Sequence, residues 1–96
     1  MKSISGDDME NERTKVLQEA SELINGQRQE DYGTPRANFS AIAYMWSAYL
    51  GADIEPRDVA NMMALLKIAR LRMANHRDSA VDGAGYLALG HELGLD

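Results

Sequence analysis

The sequence predicts an all-α protein, a compact bundle of about four helices assembled as a homo-oligomer. Three observations carry this. Apolar residues recur at three- and four-residue steps in four separate stretches. Thr-Pro, Glu-Pro and Asp-Ser pairs stand ahead of three of them, where helices begin. No stretch alternates apolar and polar residues as a half-buried strand would.

Residues 1–9 are polar, rich in Ser, Gly and Asp, and read as a flexible arm ahead of a single domain over 10–96. From about Glu10, the positions Val16, Leu17, Ala20, Leu23 and Ile24 form one helical face. Asn25-Gly26 supplies a stop, with Gly in the left-handed position after the last turn. Glu19 and Glu22 have a spacing that can serve a metal, but Glu22 points almost directly away from the apolar face, as a solvated pair would.

The segment 27–33 shows no periodicity and reads as a connector. Thr34 as N-cap and Pro35 in the first turn open a second helix. Its apolar face is Phe39, Ile42, Ala43, Trp46, Tyr49 and Leu50, with Trp46 and Tyr49 expected in the core, and Gly51 ends it. Glu55-Pro56 starts a third helix running to about Asn75. This helix is apolar over most of its circumference, with Val59, Met62, Met63, Leu65, Leu66, Ile68, Ala69, Leu71 and Met73. Such a helix is surrounded by others, within one subunit or across an interface, and this is what predicts the homo-oligomer. Asp78-Ser79 caps a fourth helix to Gly90 or Leu93, packed through Val81, Ala84, Leu87 and Ala88. Gly83 and Gly85 would let a neighbouring backbone approach closely.

Composition narrows the function classes. The 96 residues include no cysteine, so disulfides and thiolate metal sites are excluded. Fifteen acidic against ten basic residues leave a net charge of −5, which disfavours general binding to a polyphosphate backbone, and no nucleic-acid partner is expected. No apolar run approaches the roughly 20 residues that span a bilayer. The first residues lack the apolar core of a signal peptide, so a cytoplasmic protein without membrane contact is expected.

Polar residues in apolar surroundings mark the candidate site. On the third helix Arg70 lies about 60° from the centre of the apolar stripe, with Lys67 one turn earlier and about 60° further out. In one reading Lys67 reaches out to water while Arg70 pairs with a carboxylate inside the bundle. In the other, both project into a pocket for an anionic ligand, Arg as a fork to phosphate and Lys as a point charge. Lys67, Arg70, Arg72 and Arg77 fall in a stretch with no acidic residue, and charge at a helix C-terminus also complements the dipole. Asp78 and Asp82, four apart and on one face with Tyr86, suit either a hard divalent cation or capping plus an ion pair to Arg70. Asp58 and Asn61 form a second polar pair, with Asp58 in the first turn of its helix as capping favours. Around the Tyr32-Gly33-Thr34-Pro35 turn, Arg28, Tyr32 and Asn38 are either parts of a connector or an aromatic platform with an Arg and an amide for a base and a phosphate.

The ordered series Asn25-Gly26-x-Arg28, Asp31-Tyr32-Gly33-x-Pro35, Asn38-Phe39, Ile42-Ala43, Trp46, Asp58-Val59-Ala60, Lys67-Ile68-Ala69-Arg70-Leu71, Asp78-Ser79 and Asp82-x-x-Gly85-Tyr86 resembles a family of small proteins of tailed phages and prophages. That family has no settled function. More loosely, the order Asp-Tyr-Gly, Lys-x-x-Arg, then Asp followed by Asp and Tyr is similar to phage nucleotide-modification-associated domains and, through them, to the all-α MazG-like nucleoside triphosphate pyrophosphohydrolases. Those enzymes use Mg²⁺ held by helix carboxylates to activate water against the α-phosphate. The resemblance implies Asp78 and Asp82 as catalytic, metal-binding carboxylates with Asp58 as a third metal ligand. It implies Lys67 and Arg70 on phosphates, and Arg28, Tyr32 and Asn38 near base or sugar, with Tyr86 on the ligand. The sequence departs from the hydrolase pattern: Glu19-x-x-Glu22 has no Glu-x-x-Asp pair some 12–28 residues later.

Three functions follow as expectations. One is an Mg²⁺-dependent nucleotide pyrophosphohydrolase. Another is a non-catalytic oligomer that sequesters a nucleotide or nucleotide defence signal. The third is a helical module that binds a host protein.

Overall fold

The computed structural model describes residues 6–26 and 33–95. Four helices make up the protein among these residues: α1 Gly6–Asn25, α2 Pro35–Leu50, α3 Pro56–Leu71 and α4 Arg77–Leu93, with no strand. The all-α expectation and the helix count hold.

Local chemistry fixes most of the boundaries. The Thr34 hydroxyl accepts from the Ala37 amide at 3.2 Å, and Pro35 occupies the first turn, where its missing N–H costs nothing. Gly51 closes α2 at φ 66°, donating its amide to the Ser47 carbonyl at 2.9 Å. The Ser47 hydroxyl also accepts from the Ile54 amide at 2.9 Å and donates to the Ile54 carbonyl at 3.2 Å, which ties the α2–α3 turn. At the start of α3 the Glu55 amide donates to the Asp58 carboxylate at 2.9 Å within a capping box.

Several boundaries differ from the sequence reading. α1 begins at Gly6, ahead of Glu10, in an acidic stretch of the composition that a helix N-terminus favours. Gly26 is not left-handed; a Cβ there would lie 2.8 Å from the Glu22 carbonyl oxygen, so its small size is what the turn uses. α3 stops at Leu71 and not near Asn75. His76, not the Asp78-Ser79 pair, is the N-cap of α4, which leaves Asp78 in the first turn and Ser79 buried inside it.

α3 and α4 form the central antiparallel pair. α1 packs on α4 alone, and α2 packs mainly on α3. The result is extended, 54 × 28 × 23 Å. Phe39, Ala43, Val59, Ala60, Leu89 and Leu93 make the core, with Ile24, Ile42, Trp46, Ile54, Met63 and Tyr86 packed around it. Small residues let α4 approach both neighbours: a Cβ at Gly90 would collide with the Asn61 side chain of α3, and one at Gly85 would lie 3.1 Å from Ile24 of α1. Tyr49 is a correction, since it is 89% exposed at the end of α2 while Trp46 packs on the core. α3 is not surrounded within the protomer either: Met62, Leu65, Leu66 and Ile68 are exposed. Among the described residues no helix is long and apolar enough to cross a membrane.

Candidate functional site

The antiparallel register of α3 and α4 sets Lys67 against Gly83, whose missing side chain leaves room for the lysine stem; a Cβ there would lie 3.7 Å from the Lys67 Cβ. One residue before that glycine, Asp82 turns its carboxylate to the same spot. Lys67 Nζ and Asp82 Oδ2 are 3.1 Å apart, with side chains 14% and 19% exposed. Of the two readings of α3, the one with an internal Arg70 pair is therefore reversed. Lys67 forms the internal ion pair, and Arg70 is exposed, with no ion pair among the described residues. The reason is geometric. Antiparallel packing faces Lys67 with a glycine, whereas Arg70 lies one turn closer to the connection between α3 and α4 and is exposed.

Asp82 and Tyr86 line a shallow cleft between α1 and α4 with Ala20, Leu23, Ile24 and Leu89, with an interior of about 10 Å³. The Tyr86 ring stands 6.3 Å from that of Phe39 at 58°, a tilted aromatic pair that holds it at the wall. The cleft thus has an apolar lining, one carboxylate at its edge and an ammonium behind that carboxylate.

Arg77 builds a second polar cluster at the connected end of the same hairpin. Its Nε donates to Glu12 Oε1 at 2.9 Å and its Nη1 to Glu19 Oε2 at 2.6 Å, bridging α4 to α1. The hydrogen bonds to Glu19, and then to Glu12, raise its pKa above the ordinary arginine value. A cation at a helix N-terminus opposes the dipole, and the two glutamates offset that. Sequence reasoning assigned Arg77 to a helix end and Glu19 to a solvated pair with Glu22. The usable signal was that Glu12 and Glu19 stand two turns apart on one face of α1. Of the four cations between 67 and 77, two are thus matched by carboxylates, and Arg70 and Arg72 carry the remaining charge.

The other predicted residues are dispersed. Asp78 is exposed in the first turn of α4, one turn from Asp82. Asp58 serves the capping box at the far end of α3, about 15 Å along the axis from the level of Asp82 at 1.5 Å per residue. Asn38 is half-buried in the first turn of α2, its amide donating to the Thr34 carbonyl at 3.0 Å. Arg28 and Tyr32 lie outside the described residues. Asp58, Asp78 and Asp82 are therefore not brought to one point. Among the described residues no three Asp, Glu or His side chains gather to hold a metal. With the Asp82 carboxylate on Lys67, the donor set does not fit a resident Mg²⁺.

Residues 15–94 match the model of a domain of unknown function, DUF6378. The chain belongs to this family. It is 51% identical over 72 residues to the Gene 55 protein of Mycobacterium phage D29, covering 74% of this chain and 48% of that protein. It is also 46% identical over 82 residues to the Gene 55 protein of Mycobacterium phage L5, covering 83% of this chain and 53% of that one. The chain thus spans about half the length of the curated relatives it matches. No solved structure matches it. The phage family expected from the ordered motifs is confirmed, and the family carries no assigned function.

Proposed function

We propose that this phage-family protein binds a phosphorylated small molecule of the nucleotide class in the host cytoplasm and releases it unchanged. The observation that supports this reading is the half-buried Lys67–Asp82 pair at the edge of an apolar cleft walled by Tyr86. A ligand phosphate takes over the Lys67 ammonium as a point charge, and Arg70, one turn further along α3 and exposed, adds a planar fork. The cleft is shallow, with an interior of about 10 Å³, room for one water and far below the roughly 300–1,000 Å³ of sites that enclose a drug-sized ligand. The ligand therefore lies over the cleft and not within it, with its phosphates along the exposed Arg70 and Arg72.

A second reading, Mg²⁺-dependent nucleotide pyrophosphohydrolysis, is favoured by one feature: Asp78 and Asp82 stand one turn apart at this edge. One experiment separates the readings. The pure protein is incubated with a mixed nucleotide pool, cyclic dinucleotides included, and Mg²⁺. The pool is then chromatographed as ultrafiltrate and again after heat release. The expected result is a species depleted from the ultrafiltrate, recovered unchanged on heating, and no longer retained by Lys67→Met or Arg70→Ala. New monophosphates that disappear in Asp78→Asn and Asp82→Asn would establish the hydrolase. A pool untouched in both fractions overturns nucleotide binding and leaves a host protein as the partner to seek.

A further inference from the structure

The face of α3 opposite the core is apolar, and its ends carry opposite charge. Val59, Ala60 and Ala64 point into the protomer. On the other side Met62, Leu65, Leu66 and Ala69 follow at steps of three, one and three residues, and Met73 continues the line just beyond the helix. Leu65 is 63% exposed and Met73 82%. At 100° per residue these side chains form a single stripe, the pattern of a helix seam and not of a solvated surface.

The charges at the two ends of this stripe identify the occupant. Asp53, Glu55 and Asp58 stand at its start against Arg57 alone, which pairs with Glu55 at 3.2 Å. Arg70 and Arg72 flank its end, and no acidic residue lies between 67 and 77. A face that is acidic at one end, apolar in the middle and basic at the other complements itself when turned by 180°. The two helix dipoles then also run antiparallel. We infer that α3 pairs with α3 of a second copy of this chain, antiparallel, about a two-fold axis between Leu65 and Leu66. Met62 meets the partner's Ala69, and the Arg72 end lies over the partner's acidic start. The stripe exposes on the order of 500 Å², and its polar rim (Arg57, Asn61, Arg70, Arg72) brings the face to the roughly 800 Å² each partner contributes to a stable pair. This inference is independent of the ligand proposed above.

The chain has no cysteine, so a single introduced thiol reports its own surroundings. Light scattering at tens of micromolar is expected to give twice the 10.6 kDa chain mass for the wild type and the chain mass for Leu65→Glu. Arg72→Glu is expected to weaken the pair at least tenfold, since it sets acid against acid twice by symmetry. A short bis-maleimide is expected to join Leu66→Cys into dimers and to leave Leu17→Cys, more exposed than Leu66 and on α1, as monomer. A wild-type mass of one chain at every concentration overturns the pairing. A dimer that survives Leu65→Glu, or in which Leu66→Cys is not joined, overturns the α3 geometry in favour of another surface.

Discussion

The two faces of α3 are built from similar residue types and meet opposite fates. Val59, Ala60 and Ala64 are closed off by α4 and α2, with Val59 fully buried. Met62, Leu65 and Leu66, larger and more apolar in sum, are left outside. Hydrophobicity therefore does not choose the inner face of this helix. Size does: Ala60 and Ala64 lie on the face of α3 that Gly83 and Gly90 of α4 approach, which lets the two backbones close up, and bulky side chains cannot enter that seam.

The sharpest break of this comparison places one charge on each face. Val59→Glu buries a carboxylate with no partner at a cost of several kcal/mol, comparable with the whole stability of about 5–15 kcal/mol typical of a small domain. The expected outcome is loss of the cooperative thermal transition in circular dichroism. Leu65→Glu, one and a half turns along the same helix, is expected to keep its helical signal. Equal damage from both would show that the outer face is packed as the inner one is.

A smaller effect separates the two polar clusters at the hairpin end. Asp82→Ala leaves the half-buried Lys67 ammonium without its carboxylate, and a loss on the order of 1–3 kcal/mol is expected in urea unfolding. Combining Lys67→Met with Asp82→Leu is expected to recover most of it, because an apolar pair needs no solvation. If the double variant stays as weak as the single, the pair is held by more than its own attraction.

The smallest effect belongs to Arg77. Its partners Glu12 and Glu19 are exposed, so Arg77→Ala is expected to speed amide exchange in α1 while leaving α4 unchanged. About 1 M salt should erase that difference between variant and wild type, since exposed pairs are screened. A salt-independent difference would mean that Arg77 acts through packing of its stem.

Local sequence was a good guide to the fold wherever the signal was a cap or a turn. Thr34-Pro35 and Gly51 bound α2 as read, and Glu55-Pro56 starts α3, because these residues act on backbone groups within a few positions. The candidate site was less legible. Lys67 and Asp82 were both visible as polar residues near apolar ones, but their pairing was not. Fifteen residues apart on different helices, they meet only because Gly83 faces Lys67. Arg70 looked like the internal cation because a helical wheel gives an angle and not a depth. One residue can sit near the apolar centre of its helix and still be left exposed, as Arg70 is.

What the sequence by itself determined is the list of helices, both caps of α2, the start of α3 and the phage family of the ordered motifs, since each rests on residues close in the chain. Tertiary structure alone decided which face of α3 is inside, which cation takes Asp82, and that Glu12 and Glu19 of α1 are joined to Arg77 of α4. Those choices depend on the register and spacing of helices distant in sequence. Backbones close up where glycine and alanine face each other, and side chains take the partners that this approach leaves within reach.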